Sequence, residues 1–129
     1  MKISDFKGLF RKQDIELIQT NKFDSDIVEF NFSIKNIRTW RPGEHGAFTL
    51  PGKGVKGKRF RGFSIASIPE EGVLKIATRI GEKPSSFKNI MNSLTSGDTI
   101  RLRGPFGWFT LQDKTSPIVL IAAGIGITP

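Results

Sequence analysis

The stretch RFRGFSIAS, residues 59–67, decides how the rest of the chain is read. Its apolar and β-branched content is that of a strand. With a period of two, Arg61 falls on the same face as Phe63 and Ile65. A guanidinium beside a phenyl ring on one sheet face is costly to bury unless an anion meets it. The same pattern also reads as an edge strand with a solvated arginine and a core phenylalanine.

Outward from that strand, period-two patterning continues on both sides. Residues 13–22 read as a first strand. In residues 26–35, Val28, Phe30, Phe32 and Ile34 share one face, opposite Glu29, Asn31 and Ser33. A turn-rich WRPGEHG leads to a short strand at 47–51. GKGVKGK, residues 52–58, is a loop by composition. Residues 73–81 form a further strand, with Leu74, Ile76 and Ile80 on one face. In residues 83–98, Phe87, Ile90, Met91 and Leu94 recur at i, i+3, i+4 and i+7, so one helix is expected. Pro84, Ser85 and Ser86 suit its start and Gly97 its stop. Another strand, DTIRLRG, ends in PFGWF. These elements predict a mainly β fold, an antiparallel Greek-key barrel of six strands with one α-helix.

The last segment changes character. SPIVLIAAG, residues 116–124, is a continuous apolar run of the kind found in a doubly covered parallel strand, and GIGITP follows it. The expected division is a barrel domain at 1–114 and the first strand of a truncated α/β nucleotide-binding domain at 115–129.

Composition narrows the chemistry. The chain has 129 residues, no cysteine and one histidine, His45. Disulfides and thiolate metal sites are excluded, and no metal site is expected. A serine–histidine–aspartate triad would have to use His45, and no serine sits on a nucleophile elbow. The formal charge of +8 attracts phosphates, acidic proteins or anionic surfaces. The N-terminal residues lack an apolar signal region, and the longest apolar run is too short to span a bilayer. A cytoplasmic location is therefore expected, with a membrane reached only through regions outside this chain.

Several short constellations suggest a ligand. Arg61 can fork onto phosphate, Phe63 can stack on a ring, and Ser64 and Ser67 add hydroxyls. Ser64 points away from Phe63 in a regular strand. Ser85 and Ser86 stand at the expected helix start, where free amides favour an anion, although plain capping is the commoner use of such serines. GPFG at 104–107 forces a tight turn, and GIGITP resembles a phosphate-binding turn.

Taken together, the motifs resemble the ferredoxin–NADP reductase superfamily of flavoproteins. RPGEH is similar to its Pro-Gly-Gln-aromatic turn, and RGFSIAS to its Arg-x-Tyr-Ser-x-x-Ser motif. GEKPSSF resembles its Gly-x-x-Ser segment, GPFGWF its Gly-Pro-x-Gly-x-Phe turn, and AAGIGITP the opening of its pyridine-nucleotide domain. Phe63 replaces the family's usual tyrosine, and GFSIAS leans toward the ferric-reductase-like branch.

The resemblance implies an FAD-binding barrel, with FMN as the lesser alternative, coupled to NADH or NADPH oxidation in a complete protein. Arg61 would pair with the pyrophosphate, beside Gly62. Phe63 would lie on the ring system, and Ser64, near its reactive nitrogen, would be the catalytic residue. Ser67 belongs to the same motif. Thr78 and Ile80 would offer backbone groups, and Gly81, Ser85 and Ser86 would hold the phosphates. Gly126, Ile127 and Thr128 would approach from the nucleotide side. The electron acceptor is open, with an acidic redox protein or a haem as candidates. Two other readings compete: a basic OB-like nucleic-acid module using its eleven phenylalanines, and a flavin-free regulatory barrel.

Overall fold

The computed structural model describes residues 2–23, 26–37 and 39–129. Six strands form one sheet: β1 (Lys12–Lys22), β2 (Ile27–Ser33), β3 (His45–Thr49), β4 (Phe60–Ser64), β5 (Val73–Arg79) and β6 (Thr99–Phe106). Among the described residues one α-helix, α1, covers Ser86–Asn92 between β5 and β6. Strand order is β4-β3-β6-β1-β2-β5, antiparallel at every step. Non-sequential neighbours at β3-β6-β1 make this a Greek key, as the patterning implied.

Alternation builds the core. Ile15 and Leu17 of β1, Phe30 and Phe32 of β2, Phe48 of β3, Leu74 and Ile76 of β5, and Ile100 and Leu102 of β6 are buried inside the curl. Phe87 and Met91 of α1, four residues apart on one face, close one end. A register shift between Leu17 and Gln19 turns Ile18 outward, where it is 44% exposed. Four of the phenylalanines, Phe30, Phe32, Phe48 and Phe87, are fully buried. They are core, not a stacking platform for bases.

The sheet closes on itself through a short seam beyond β4. The Ala66 N–H donates to the Lys75 carbonyl at 2.8 Å. Ser67 Oγ donates to the Val73 carbonyl at 2.9 Å and accepts the Lys75 N–H at 3.0 Å. The Trp40 indole N–H holds the Ser67 carbonyl at 2.8 Å. Ser67, expected among the ligand-binding residues, is 6% exposed and its hydroxyl is fully used in this seam.

One expected element does not form. Residues 116–124 have no strand, and Val119, Leu120 and Ile121 are 83%, 79% and 93% exposed. A parallel strand is stable only when partners flank its edges and helices cover its faces. Among the described residues none supplies them.

Candidate functional site

Strand alternation decides which backbone groups are free. The Ile65 N–H donates to the Glu44 carbonyl at 3.0 Å, which directs the odd-numbered groups of this strand toward β3. Gly62, Ser64 and Ala66 therefore turn their amides the other way, toward β5. Ala66 meets Lys75 there, and the same period turns Ala77 and Arg79 of β5 toward β4. Beyond the Ala66–Lys75 contact the two edges diverge, and their polar groups face a common gap.

This alternation corrects one expectation. Thr78 shares its ladder with Val28 of β2, and the Ile80 N–H donates to the Asp26 carbonyl at 2.8 Å. Neither has a free backbone group on the gap side. Ala77 and Arg79 do, although the Arg79 carbonyl accepts Lys88 Nζ at 2.6 Å.

Side chains complete the gap. Arg61, Arg79, Gly81, Lys83, Pro84, Ser85 and Lys88 line a cleft of about 440 Å³. The Arg61 guanidinium lies 5.6 Å over the Phe87 ring in the first turn of α1. It also donates from Nη1 to the carbonyls of Lys58 and Phe60, at 3.2 and 3.0 Å. The half-buried Phe63 packs edge-on to Phe48 at 5.6 Å and tilted to Phe87 at 6.4 Å. The lone arginine on the strand's inner face is therefore supported by an aromatic ring and two carbonyls, and it opens onto a cationic cleft. At the cleft's side, Asp26 pairs with Arg79 at 3.2 Å.

The two serines at the helix start do different work. Ser85 caps α1, accepting the Lys88 N–H at 3.4 Å. Ser86 Oγ accepts the Lys56 N–H at 3.0 Å and tethers the glycine–lysine loop. Only Ser85 lines the cleft. The helix has seven residues, so the charge of the cleft comes chiefly from its side chains. Gly62 is exposed, with no atom within 4 Å of where a Cβ would lie. Near β5, the Gly124–Ile127 turn is held partly by Thr128, whose hydroxyl donates to the Ile125 carbonyl at 3.0 Å.

His45 is the residue that sequence reasoning set aside. It faces Ser64 across β3 and β4 as a non-hydrogen-bonded pair, the arrangement that brings side chains closest. Its ring is wedged at 4.5 Å against Phe106 and 6.0 Å from Trp108. Gly107, with φ +138°, passes so close that a Cβ there would sit 2.7 Å from His45 Nδ1. Burial lowers the His45 pKa from its ordinary 6.5, outweighing the opposing pull of Glu44. The ring is neutral at pH 7.

Two sequence turns interlock here. Arg41 donates to the Glu44 carboxylate at 3.0 Å and to the Gly107 carbonyl at 3.3 Å. A Cβ on Gly43 would lie 1.5 Å from the Phe109 carbonyl oxygen. The RPGEH and GPFGWF segments are thus one clamp that presents His45 beside Ser64. Period-two counting of HGAFT against RGFS carried that signal, but only with the register known.

The site is a cationic cleft on the diverging edges of a closed antiparallel barrel. No protein-family profile matches the chain. It is 29% identical over 120 residues to a flavohemoprotein of Pseudomonas putida, covering 91% of this chain and 30% of that one. It is 33% identical over 112 residues to the F subunit of the Na(+)-translocating NADH-quinone reductase of Shewanella denitrificans, covering 79% of this chain and 26% of that one. Among solved structures, the ferredoxin-NADP+ reductase from Plasmodium falciparum superposes with a TM-score of 0.73 at 17% identity, over 93% of this chain and 50% of that one. A flavohemoglobin from Malassezia yamatoensis with bound FAD and heme gives 0.71 at 20% identity, over 91% and 32%. The superpositions show that the chain shares the fold of the ferredoxin-NADP+ reductase and flavohemoglobin barrels. It spans less than a third of the length of the two curated relatives.

Proposed function

We propose that this barrel is the flavin-binding half of an NAD(P)H-dependent oxidoreductase. The observation that carries the reading is the placement of Arg61. Its guanidinium rests on Phe87 and opens onto a cleft shared with Arg79, Lys83, Lys88 and the helix cap. Such a cleft matches a diphosphate, and FAD is the flavin whose relative is solved on this fold.

When bound, FAD supplies the chemistry: it accepts a hydride and passes electrons on. The chain's residues hold and orient it. Arg61 and its cationic neighbours neutralise phosphate charge, and Gly62, Ser64 and Ala77 offer backbone groups along the gap. Phe63 gives the ring an apolar support. Ser64 offers a hydroxyl that has no hydrogen bond among the described residues, and neutral His45 beside it can take up a proton at its unprotonated nitrogen.

Residues 115–129 begin a nucleotide-binding unit in this reading. The barrel's share of the work is to bind FAD, and hydride delivery from NAD(P)H belongs to the nucleotide-binding unit. An acceptor bearing haem, or an acidic redox protein, fits the formal charge of +8. Among the described residues no helix is long and apolar enough to cross a membrane.

The test is direct. Purified chain is mixed with FAD, passed through a desalting column and scanned in the visible range. One retained flavin per chain, displaced by FMN only at higher concentration, is the expected result. A colourless eluate at micromolar protein rules the proposal out.

A further inference from the structure

We propose a second ligand site on the outer face of the barrel, for a phosphate that carries a flat ring, of the nucleoside monophosphate class. It lies on the side of the sheet opposite the Arg61 cleft and does not depend on the flavin reading. Leu9, Lys12, Ala47, Phe60 and Arg103 line a cleft of about 460 Å³ together with Thr49 and Arg101. That volume suits a small ligand.

The charge pattern is the first sign. Lys12 of β1 stands directly opposite Arg103 of β6. The Gly104 N–H donates to the Arg11 carbonyl, so 12 and 103 form a non-hydrogen-bonded pair with side chains at closest approach. Like charges placed so are destabilising. The next outward pair shows the ordinary solution: Asp14 faces Arg101 and accepts from it at 2.8 Å. The Lys12 and Arg103 side chains make no hydrogen bond or ion pair among the described residues. An anion between them offsets the repulsion, and Arg103 has a full fork to give it.

The floor is the second sign. Ala47 pairs with Arg103 on one side and Gly62 on the other. Neither Ala47 nor Gly62 has bulk, so the sheet is flat between the cations and Phe60. Phe60 is 50% exposed, and Lys58 Nζ lies 5.0 Å from its ring centre. A phosphate at Lys12 and Arg103 thus leaves a planar ring lying over Ala47 and Gly62, against Phe60.

The probe is adenosine 5′-monophosphate, titrated calorimetrically at low and at 0.3 M salt, with inorganic phosphate alongside. The expected result is one nucleotide per chain, weakened by salt and at least tenfold tighter than phosphate. Arg103→Gln and Lys12→Gln each weaken it at least tenfold, and without nucleotide each raises the thermal midpoint by relieving the repulsion. Saturating FAD leaves the affinity unchanged, with flavin content read separately by absorbance. No binding, binding indifferent to both substitutions, or phosphate as tight as nucleotide overturns the proposal. So does loss of nucleotide binding on FAD saturation, which assigns this face to the adenosine arm of the flavin instead.

Discussion

Replacing Arg61 with glutamine tests the cleft at its centre. Both Nη1 hydrogens are committed to the Lys58 and Phe60 carbonyls. That leaves the Nε–H and the Nη2 hydrogens, an edge shaped to fork onto two phosphate oxygens. Each charge-assisted bond contributes roughly 1.5–3 kcal/mol. The cleft is open to water, so the lower figure applies, and two bonds sum to about 3 kcal/mol, or about a hundredfold in affinity. Arg79, Lys83 and Lys88 keep the cleft cationic, so binding weakens without vanishing. Arg61→Lys retains the charge but loses the fork, and an intermediate loss of about tenfold is expected. The assay is quenching of flavin fluorescence on titration with FAD, beside a thermal melt of each variant. The variant also loses two bonds that pin the end of the glycine–lysine loop, so its midpoint falls by a few degrees. A folded Arg61→Gln chain that binds FAD within threefold of the native affinity refutes the assignment of the phosphates to this cleft.

Other perturbations separate scaffold from site. Ser67→Ala strands the Lys75 N–H in the buried seam and costs about 1–3 kcal/mol in denaturant unfolding, whereas Ser64→Ala leaves stability within about 0.5 kcal/mol and alters flavin binding or reduction. The reverse pattern would show that the two serines have been given each other's roles. Gly43→Ala forces a Cβ onto the Phe109 carbonyl at a residue with φ +92°; a loss of about 2–4 kcal/mol is expected, and a native-like melt contradicts the interlocked turns. His45 has a folded pKa below its unfolded 6.5. The unfolded chain thus binds the proton first, and stability declines as pH drops from 6.5 toward the folded value. The stability difference between native and His45→Phe proteins should shift over that window; a difference constant from pH 7.5 to 5 counts against the burial of this ring.

The barrel was legible because its strands alternate cleanly. Phe30 and Phe32, or Leu74 and Ile76, declare an inner face without help from any partner. Arg61 and Ser85 stood out as candidates for a related reason: a charged or hydroxyl group breaks an otherwise regular pattern, and the structure brings both to one cleft. What stayed hidden depends on register. Ala77 carries no side-chain signal, yet pairing with β2 makes it, and not Thr78, the residue that faces the gap. Ser67 looked like Ser64 until the seam placed it against Val73 and Lys75. His45 became relevant only when the β3–β4 pairing set it across from Ser64. The run at 116–124 has the composition of a buried strand, but burial is a property of neighbours that composition cannot supply.

The seam at Ala66 and Lys75 acts as the hinge of a clothes peg whose jaws are the free ends of two strands. Trp40 and Ser67 are the spring, since they set how tightly the hinge is drawn. In the proposed function, the width between these jaws is set by residues that a bound ring does not touch. Variation at positions 40 or 67 becomes a way to retune grip and ring tilt while every contacting side chain stays the same.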